Sequence, residues 1–305
     1  MENFTYNFFI LKFTMYSGNK PMLSFFFVLI YLTGVMANST TITVIYRDHR
    51  LHTPMYLFLS NLAIVDICYT TSTVPKLVHM LLSGDYTLSF SECFVQMYFF
   101  LHVACTEDLL LFVMAYDRYV AICNPLHYHS VLSKKSCVMF MVVVWLAGCI
   151  ISVIATLTTC NIHLYSNIVP QFLCEFKAFG KISCPDVVFQ LVSYMIVAFF
   201  GVGPFLCSLI SYTRVIIVIL HIKSSDGRRK AFSTCSSHLI VLTMYYTTWM
   251  VVYSMPSMKD SVFEQTLFIL YAIITPMLNP LIYSVRNKDV KRALLKLVGR
   301  KVGGE

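Results

Sequence analysis

Charge is what this chain has least of. Only 12% of its 305 residues are Asp, Glu, Lys or Arg, against 57% apolar ones. A soluble domain carries roughly 25% charged residues, so a charged, water-facing shell is excluded. The length alone would allow about two soluble domains. The charges instead come in short clusters between long uncharged stretches, the pattern of a single membrane domain. Cys-x-x-Cys pairs are missing among the 11 cysteines, which removes zinc ribbons and thioredoxin-like sites. A basic n-region is also missing, since Glu2 stands near the start, and no small-residue cleavage site follows an early apolar core. A cleaved signal peptide is therefore not expected, and the first apolar run doubles as the targeting segment. No internal repeat, low-complexity linker or matched pair of broken transporter helices occurs. The net charge of +8 resides in loops rather than on a basic face interleaved with aromatics, so no nucleic-acid partner is expected.

What is present are long apolar runs. About 20 apolar residues make a helix that crosses the roughly 30 Å hydrocarbon core. Seven runs qualify, at 22–46, 55–78, 93–123, 137–159, 187–221, 231–255 and 261–285. They predict an all-α membrane protein, a seven-transmembrane helix bundle over 22–285, with an outer N-terminus at 1–21 and a tail at 286–305. Lys and Arg set the orientation. With the N-terminus outside, 17 of the 23 basic residues fall inside and only Lys12, Lys20, Lys76, Lys177, Lys181 and Lys259 outside. The reading is a multi-pass protein of the plasma membrane, N-terminus extracellular and C-terminus cytoplasmic. Asn3-Phe4-Thr5 is then an outward glycosylation acceptor, whereas Asn38-Ser39-Thr40 lies inside the first span. Cys93, Cys160, Cys174 and Cys184 also fall on the outer side, as disulfide candidates in an oxidising compartment; the other cysteines read as small packing residues. In the tail, Val290, Leu294, Leu297 and Val298 share one helical face, with Lys288, Lys291, Arg292 and Lys296 around it. This predicts a short basic amphipathic helix on the inner leaflet, the alternative being a frayed polar tail. The tail has no cysteine, so it is not palmitoylated.

Ionisable groups inside spans are costly and mark function by default. Asp66 lies mid-span in the second segment, Glu107 and Asp108 mid-span in the third, and Asp117 at its inner end. No Lys or Arg matches the depth of Asp66 or Glu107. They are protonated, hydrogen-bonded to neighbours such as Asn38, Ser60 or Asn279, or jointly hold a hard cation such as sodium. Hydrogen bonding would instead make them a packing cluster. Asp117-Arg118-Tyr119 is either a snorkelling interfacial ion pair or an Arg poised between partners. Pro276 and Asn279-Pro280 interrupt the seventh span and free a carbonyl that a neighbour must satisfy.

Five motifs, in order, add specificity: Leu51-His52-Thr53-Pro54-Met55-Tyr56, the 114–123 run MAYDRYVAIC, Ser211-Tyr212, the 230–238 run KAFSTCSSH, and the 276–287 run PMLNPLIYSVRN. Together they are similar to the vertebrate olfactory receptors, a branch of the rhodopsin-like G-protein-coupled receptors, over nearly the whole chain. Asn38, the 61–66 run NLAIVD, Trp145, Pro204 and Asn279 to Tyr283 match the wider superfamily. The resemblance implies an odorant receptor that takes a small ligand and activates the stimulatory olfactory heterotrimeric G protein, raising cyclic AMP. It implies a G-protein switch of Asp117, Arg118 and Tyr119, with Tyr212, His238 and Tyr283 rearranging alongside. It favours sodium at Asp66 and Glu107, with no other cofactor, and implies disulfides Cys93–Cys174 and Cys160–Cys184. Three positions depart from the family. Ala37 replaces Gly before Asn38, the sixth span reads Tyr245-Tyr246-Thr247-Thr248-Trp249 instead of Cys-Trp-x-Pro, and Asp108 stands where Cys is common. The sixth-span departure is itself typical of olfactory receptors.

By matching positions to that family, the ligand pocket lies between the outer halves of spans three, five, six and seven. Its candidates are Met97, Phe100, Leu101, Ala104, Cys105, Asp108, Ile196, Val197, Phe200, Tyr246, Trp249, Met250, Tyr253, Ile269 and Ala272. The set is apolar and aromatic, as small hydrophobic ligands require, although several of these residues also serve helix packing. Asp108 is the polar exception: it either pairs with an amine or stays neutral, bonded to a Tyr or Ser. Other functions fit less well. A transporter or channel needs a polar path to both faces, and the carboxylates cluster in one place. A membrane enzyme finds only His49 and His52, in an inner loop without a carboxylate constellation. A retinal sensor needs a lysine in the seventh span, and none lies between Gln265 and Val285. The usual bioamine receptor needs an acid near Phe100, and none is there.

Overall fold

The computed structural model describes residues 6–13, 19–254, 262–286 and 288–297. Eight helices carry the architecture: α1 (Lys20–Arg47), α2 (Pro54–Ser83), α3 (Phe90–Cys123), α4 (Lys134–Asn161), α5 (Val187–His221), α6 (Ser225–Ser254), α7 (Val262 to Arg286) and α8 (Lys288–Leu297). Their starts follow local chemistry. The Asn19 side chain accepts from Met22 N–H at 3.1 Å. Pro54 opens α2, where its missing N–H costs nothing. Ser89 and Glu92 form a reciprocal capping box on α3, and Asp186 accepts from Phe189 N–H at 2.7 Å on α5. Gly84 ends α2 at φ 73°, a left-handed cap that a side chain would strain.

Six of these helices are long and apolar enough to cross a membrane. α6 matches them in length, but Thr243, Tyr245, Tyr246, Thr247 and Thr248 dilute its apolar half. Thr243 and Thr248 donate to the carbonyls of Leu239 and Met244, 2.8 and 2.6 Å away. Such back-bonding removes the cost of a hydroxyl among apolar neighbours.

α3 is the central post, with 72% of its most apolar stretch buried against 22% for α1 and α5. It packs on α2, α4 and α5, while α1 packs on α2 and α7. The outward faces are apolar, as with Val138, Val142 and Leu146 of α4 and Leu206 and Ile210 of α5. Where lipid surrounds a bundle, helix association rests on close packing rather than water exclusion. Gly201 shows this: a Cβ there would collide with the Trp249 indole, so α5 and α6 approach only because glycine leaves room.

Two features differ from the sequence reading. α5 and α7 each contain a π turn, at Val197–Val202 and Leu270–Ile274. The all-α expectation also lacks a three-stranded sheet in the order β2-β1-β3. β1 (Phe8–Leu11) runs antiparallel to β2 (Thr87–Ser89) and parallel to β3 (Ile168–Val169). The segment before α1 is thus partly built into the fold, with Phe9 fully buried edge-on to Phe179 and Phe94 at 5.3 and 6.0 Å. At the other end of the chain, α8 turns Val290 and Ala293 inward against α1 and α7 and leaves Lys291 and Arg292 exposed.

Candidate functional site

Three layers of side chains lie along α3, between the end bearing the strands and the end bearing Arg118. At the strand end the interior is aromatic. Phe100 lies 4.9 Å from Tyr69 and 5.7 Å from Phe268, and Trp249 lies 5.4 Å from Tyr253. Of the expected ligand residues, Met97, Phe100, Leu101, Ala104, Cys105, Asp108, Tyr246, Trp249, Ile269 and Ala272 are buried. Ile196, Phe200 and Tyr253 are half-buried. Val197 and Met250 are not part of this interior: each is 39% exposed. Val197 opens the π turn of α5, where the wider ring shifts the helical face. That shift leaves no mark in hydrophobic spacing.

Polar atoms sit in this apolar surround. Asp108 Oδ1 is buried without a hydrogen bond, whereas the Tyr246 hydroxyl faces Ser208 and the Tyr69 hydroxyl faces Tyr271. Buried polar atoms normally find partners, so a group that supplies Asp108 with one gains where it enters. Tyr245 and Tyr271 bring their hydroxyls to 3.4 Å at the floor.

A lid covers the strand end. Cys93–Cys174 is a disulfide that ties the loop after β3 to the start of α3. Gln96 adds a second tie, its side-chain oxygen accepting from Cys174 N–H at 3.0 Å. The implied Cys160–Cys184 bridge is not formed: both are exposed free thiols. Backbone bonds Cys184 N–H to His163 O and Tyr165 N–H to Ile182 O fix a register that sets Cys184 opposite His163, three positions past Cys160. Downstream, Lys177 Nζ donates to Val252 O at 2.6 Å and stands 5.3 Å over the Tyr253 ring. Lys181 Nζ pairs with Glu264 Oε1 at 2.6 Å. The loop is thereby fastened to both α6 and α7. Burial pushes the Glu175 carboxyl up to about 7, against the pull of Lys177 and Lys181. Burial likewise holds the Lys177 ammonium below its ordinary value. Asn3 lies outside the described residues.

The middle layer is polar. Asn279 Nδ2 donates to both Asp66 oxygens, at 3.1 and 3.2 Å. Glu107 faces Asp66 and the same amide, while Glu107 Oε1 and Asn38 Oδ1 are buried without partners. Oxygen-only donors of this kind suit a hard cation. No group of three or more His, Cys, Asp or Glu gathers among the described residues, so the donor set is two carboxylates plus amide oxygens.

At the opposite end, Arg118 Nε donates to Asp117 Oδ2 at 2.8 Å and Nη2 reaches the same oxygen. Asp117 is fully buried and Arg118 is 9% exposed. The Tyr128 hydroxyl donates to the other oxygen, Asp117 Oδ1, at 2.8 Å. The sequence reading missed Tyr128, because a loop turn rather than helical spacing brings it there. The Tyr212 hydroxyl and His238 Nδ1 are 2.7 Å apart. Tyr283 is fully buried with an unpartnered hydroxyl, as is His238 Nε2. Tyr119 is half-buried on α3, its ring 6.3 Å from that of Tyr116. The end therefore holds two closed pairs, Asp117 with Arg118 and Tyr212 with His238, beside the unpartnered Tyr283 hydroxyl.

Comparison with known proteins is consistent along the chain. Residues 27–301 match the family model described as olfactory receptor. The chain is 43% identical to human olfactory receptor 2K2 over 98% of its own length and 96% of that protein. It is 40% identical to mouse olfactory receptor 1M1, covering 93% of this chain and 92% of that one. It is 42% identical to rat olfactory receptor 1468, covering 90% and 88%.

Proposed function

Since the chain belongs to the olfactory receptor family, a family of multi-pass G-protein-coupled receptors and not of enzymes, we propose that it detects a small, mostly hydrophobic odorant. The ligand binds between the strand-end halves of α3, α5, α6 and α7. The observation that carries this is the unpartnered, buried Asp108 Oδ1 inside an aromatic interior. A ligand gains by filling that interior and by supplying a hydrogen bond that the protein leaves open.

Signal transfer follows from the order of the layers. A ligand against Trp249 and Tyr253 bears on α6, which packs tightly on Gly201 of α5. The same helix carries His238 at the far end, bonded to Tyr212 of α5. A shift of α6 breaks that bond and offers Arg118 the freed Tyr212 and Tyr283 in place of Asp117. The ligand acts by its differential affinity for the two arrangements. The strand end faces outward and the Arg118 end meets a stimulatory heterotrimeric G protein at the plasma membrane, raising cyclic AMP. The excess of Lys and Arg in the Arg118-end loops and tail supports this orientation.

The test is cyclic AMP in cells expressing the chain across an odorant panel that includes amines, with surface staining throughout. A ligand-dependent rise is expected, abolished in Arg118→Ala. Asp108→Asn should remove amine responses and spare neutral ones; equal loss of both sinks the amine role. Silence toward the whole panel at full surface expression would count against the coupling.

Asp66, Glu107, Asn38 and Asn279 would hold a sodium ion, whose charge would stabilise two facing carboxylates. Sodium should then raise the Tm of the purified receptor more than choline at equal ionic strength, and Glu107→Gln should remove the difference. Equal Tm in the two salts for the unmodified chain would exclude the site.

A further inference from the structure

A groove of about 870 Å³ opens at the Arg118 end, away from the odorant layer, between α1, the 51–54 turn, α2, the Tyr128–Val131 helix and α4. Its volume is that of a small-molecule site. Ile42, Tyr46, Leu57, Leu132 and Val138 make its apolar walls. His52, His129 and Lys134 stand at its rim, all three exposed, and no carboxylate lines it. The nearby Asp48 is engaged by Arg50 at 3.3 Å. Lys134 makes no ion pair among the described residues. The lining comes from the last turns of α1 and the first turns of α2 and α4. The apolar wall therefore passes into the rim bearing Lys134 toward the ends of these helices.

One wall residue is tied to the switch. Tyr128 lines the groove, and its hydroxyl is the donor that holds Asp117 Oδ1 at 2.8 Å. Asp117 in turn holds Arg118. An occupant of the groove would therefore lie against the residue that holds Asp117.

We propose that the groove binds an acidic phospholipid of the inner leaflet, one acyl chain along the Leu57 and Val138 walls and the headgroup on Lys134 and His129. The bound lipid keeps Tyr128 on Asp117 and so holds the resting pair. An acidic headgroup is the occupant because Lys134 gives the rim a positive charge and no acid lines it to receive a choline. The leaflet assignment rests on the orientation proposed above; the binding itself does not.

The probe is the full chain in nanodiscs of phosphatidylcholine, with and without added phosphatidylserine, followed by lipid retention in native mass spectrometry. Retention of phosphatidylserine over phosphatidylcholine is expected. Lys134→Gln should cut it roughly five-fold, the worth of one basic side chain at an anionic surface. Val138→Trp, which fills the groove from an exposed position, should abolish it. Tyr128→Phe should retain the lipid yet raise basal nucleotide exchange on added G protein, and phosphatidylserine should no longer suppress that exchange. Equal retention of both lipids, preferential retention of added cholesterol, or retention indifferent to Lys134→Gln and Val138→Trp would overturn the site. Suppression by phosphatidylserine that survives Tyr128→Phe would overturn the link to the switch. Retention needs neither odorant nor G protein, so its failure is separable from failure of the receptor reading.

Discussion

Asp117 and Arg118 stand next to each other in the chain, and their pairing could be expected from that alone. The third member, Tyr128, lies eleven residues on and reaches Asp117 only because Asn124 and Pro125 turn the chain at the end of α3. Asp66 and Asn279 are 213 residues apart; each is conspicuous in its span, but only the packing of α7 on α2 joins them. Glu175 is the converse case, inconspicuous in a loop and consequential once folded. Its carboxyl is pushed up to about 7 by burial, so the folded lid prefers the protonated form. Stability from this residue is fully present below the ordinary carboxylate value of about 4.5 and is lost as pH rises through about 7. Amide exchange of the 168–184 loop in the purified receptor should quicken between pH 5 and pH 8 beyond the intrinsic rate (a window of about three units around that value). Glu175→Gln should remove the excess; an unchanged pH dependence in that variant would refute the role of this carboxyl.

At the scale of elements, the helices were legible and their faces were not wholly so. Apolar length and caps such as Ser89 with Glu92 locate α3 to within a few residues. The π turns at Val197–Val202 and Leu270–Ile274 were invisible, since they depend on packing against neighbours rather than on residue type. Val197 was misplaced at the first of them. β1 was equally hidden: four apolar residues, Phe8–Leu11, acquire a strand only by pairing with β2 and β3 from distant loops. Its anchor is Phe9, fully buried among Phe94 and Phe179. Truncating such a core Phe costs about 3 to 5 kcal/mol. Phe9→Ala should therefore lower the Tm of the purified receptor by several degrees and speed amide exchange in β2 and β3; a Tm within error of the parent would show that the strand does not stabilise the fold.

At the scale of the whole molecule, orientation is the property that composition addresses most directly. Basic residues cluster in the loops and tail of the Arg118 end, a bias that supports the proposed inner placement of that end. Asn3 should accordingly carry a glycan in cells. Endoglycosidase treatment should sharpen the receptor band, and Asn3→Gln should remove that shift; a treated and untreated receptor of equal mobility, with Arg118-end loops labelled from outside, would reverse the assignment. By itself the sequence determined that the chain is a seven-helix membrane bundle, because the cost of burying charge in hydrocarbon leaves few other arrangements for such long uncharged runs. It also determined the family, through motifs that survive as local strings. Only the tertiary structure decided which residues share an interior. It set Tyr128 on Asp117, closed the strand end with β1 and the Lys177 and Lys181 ties, and left Cys160 and Cys184 apart. These are contacts between distant segments, fixed by how helices rotate and loops return, and no local pattern in a sequence encodes that rotation.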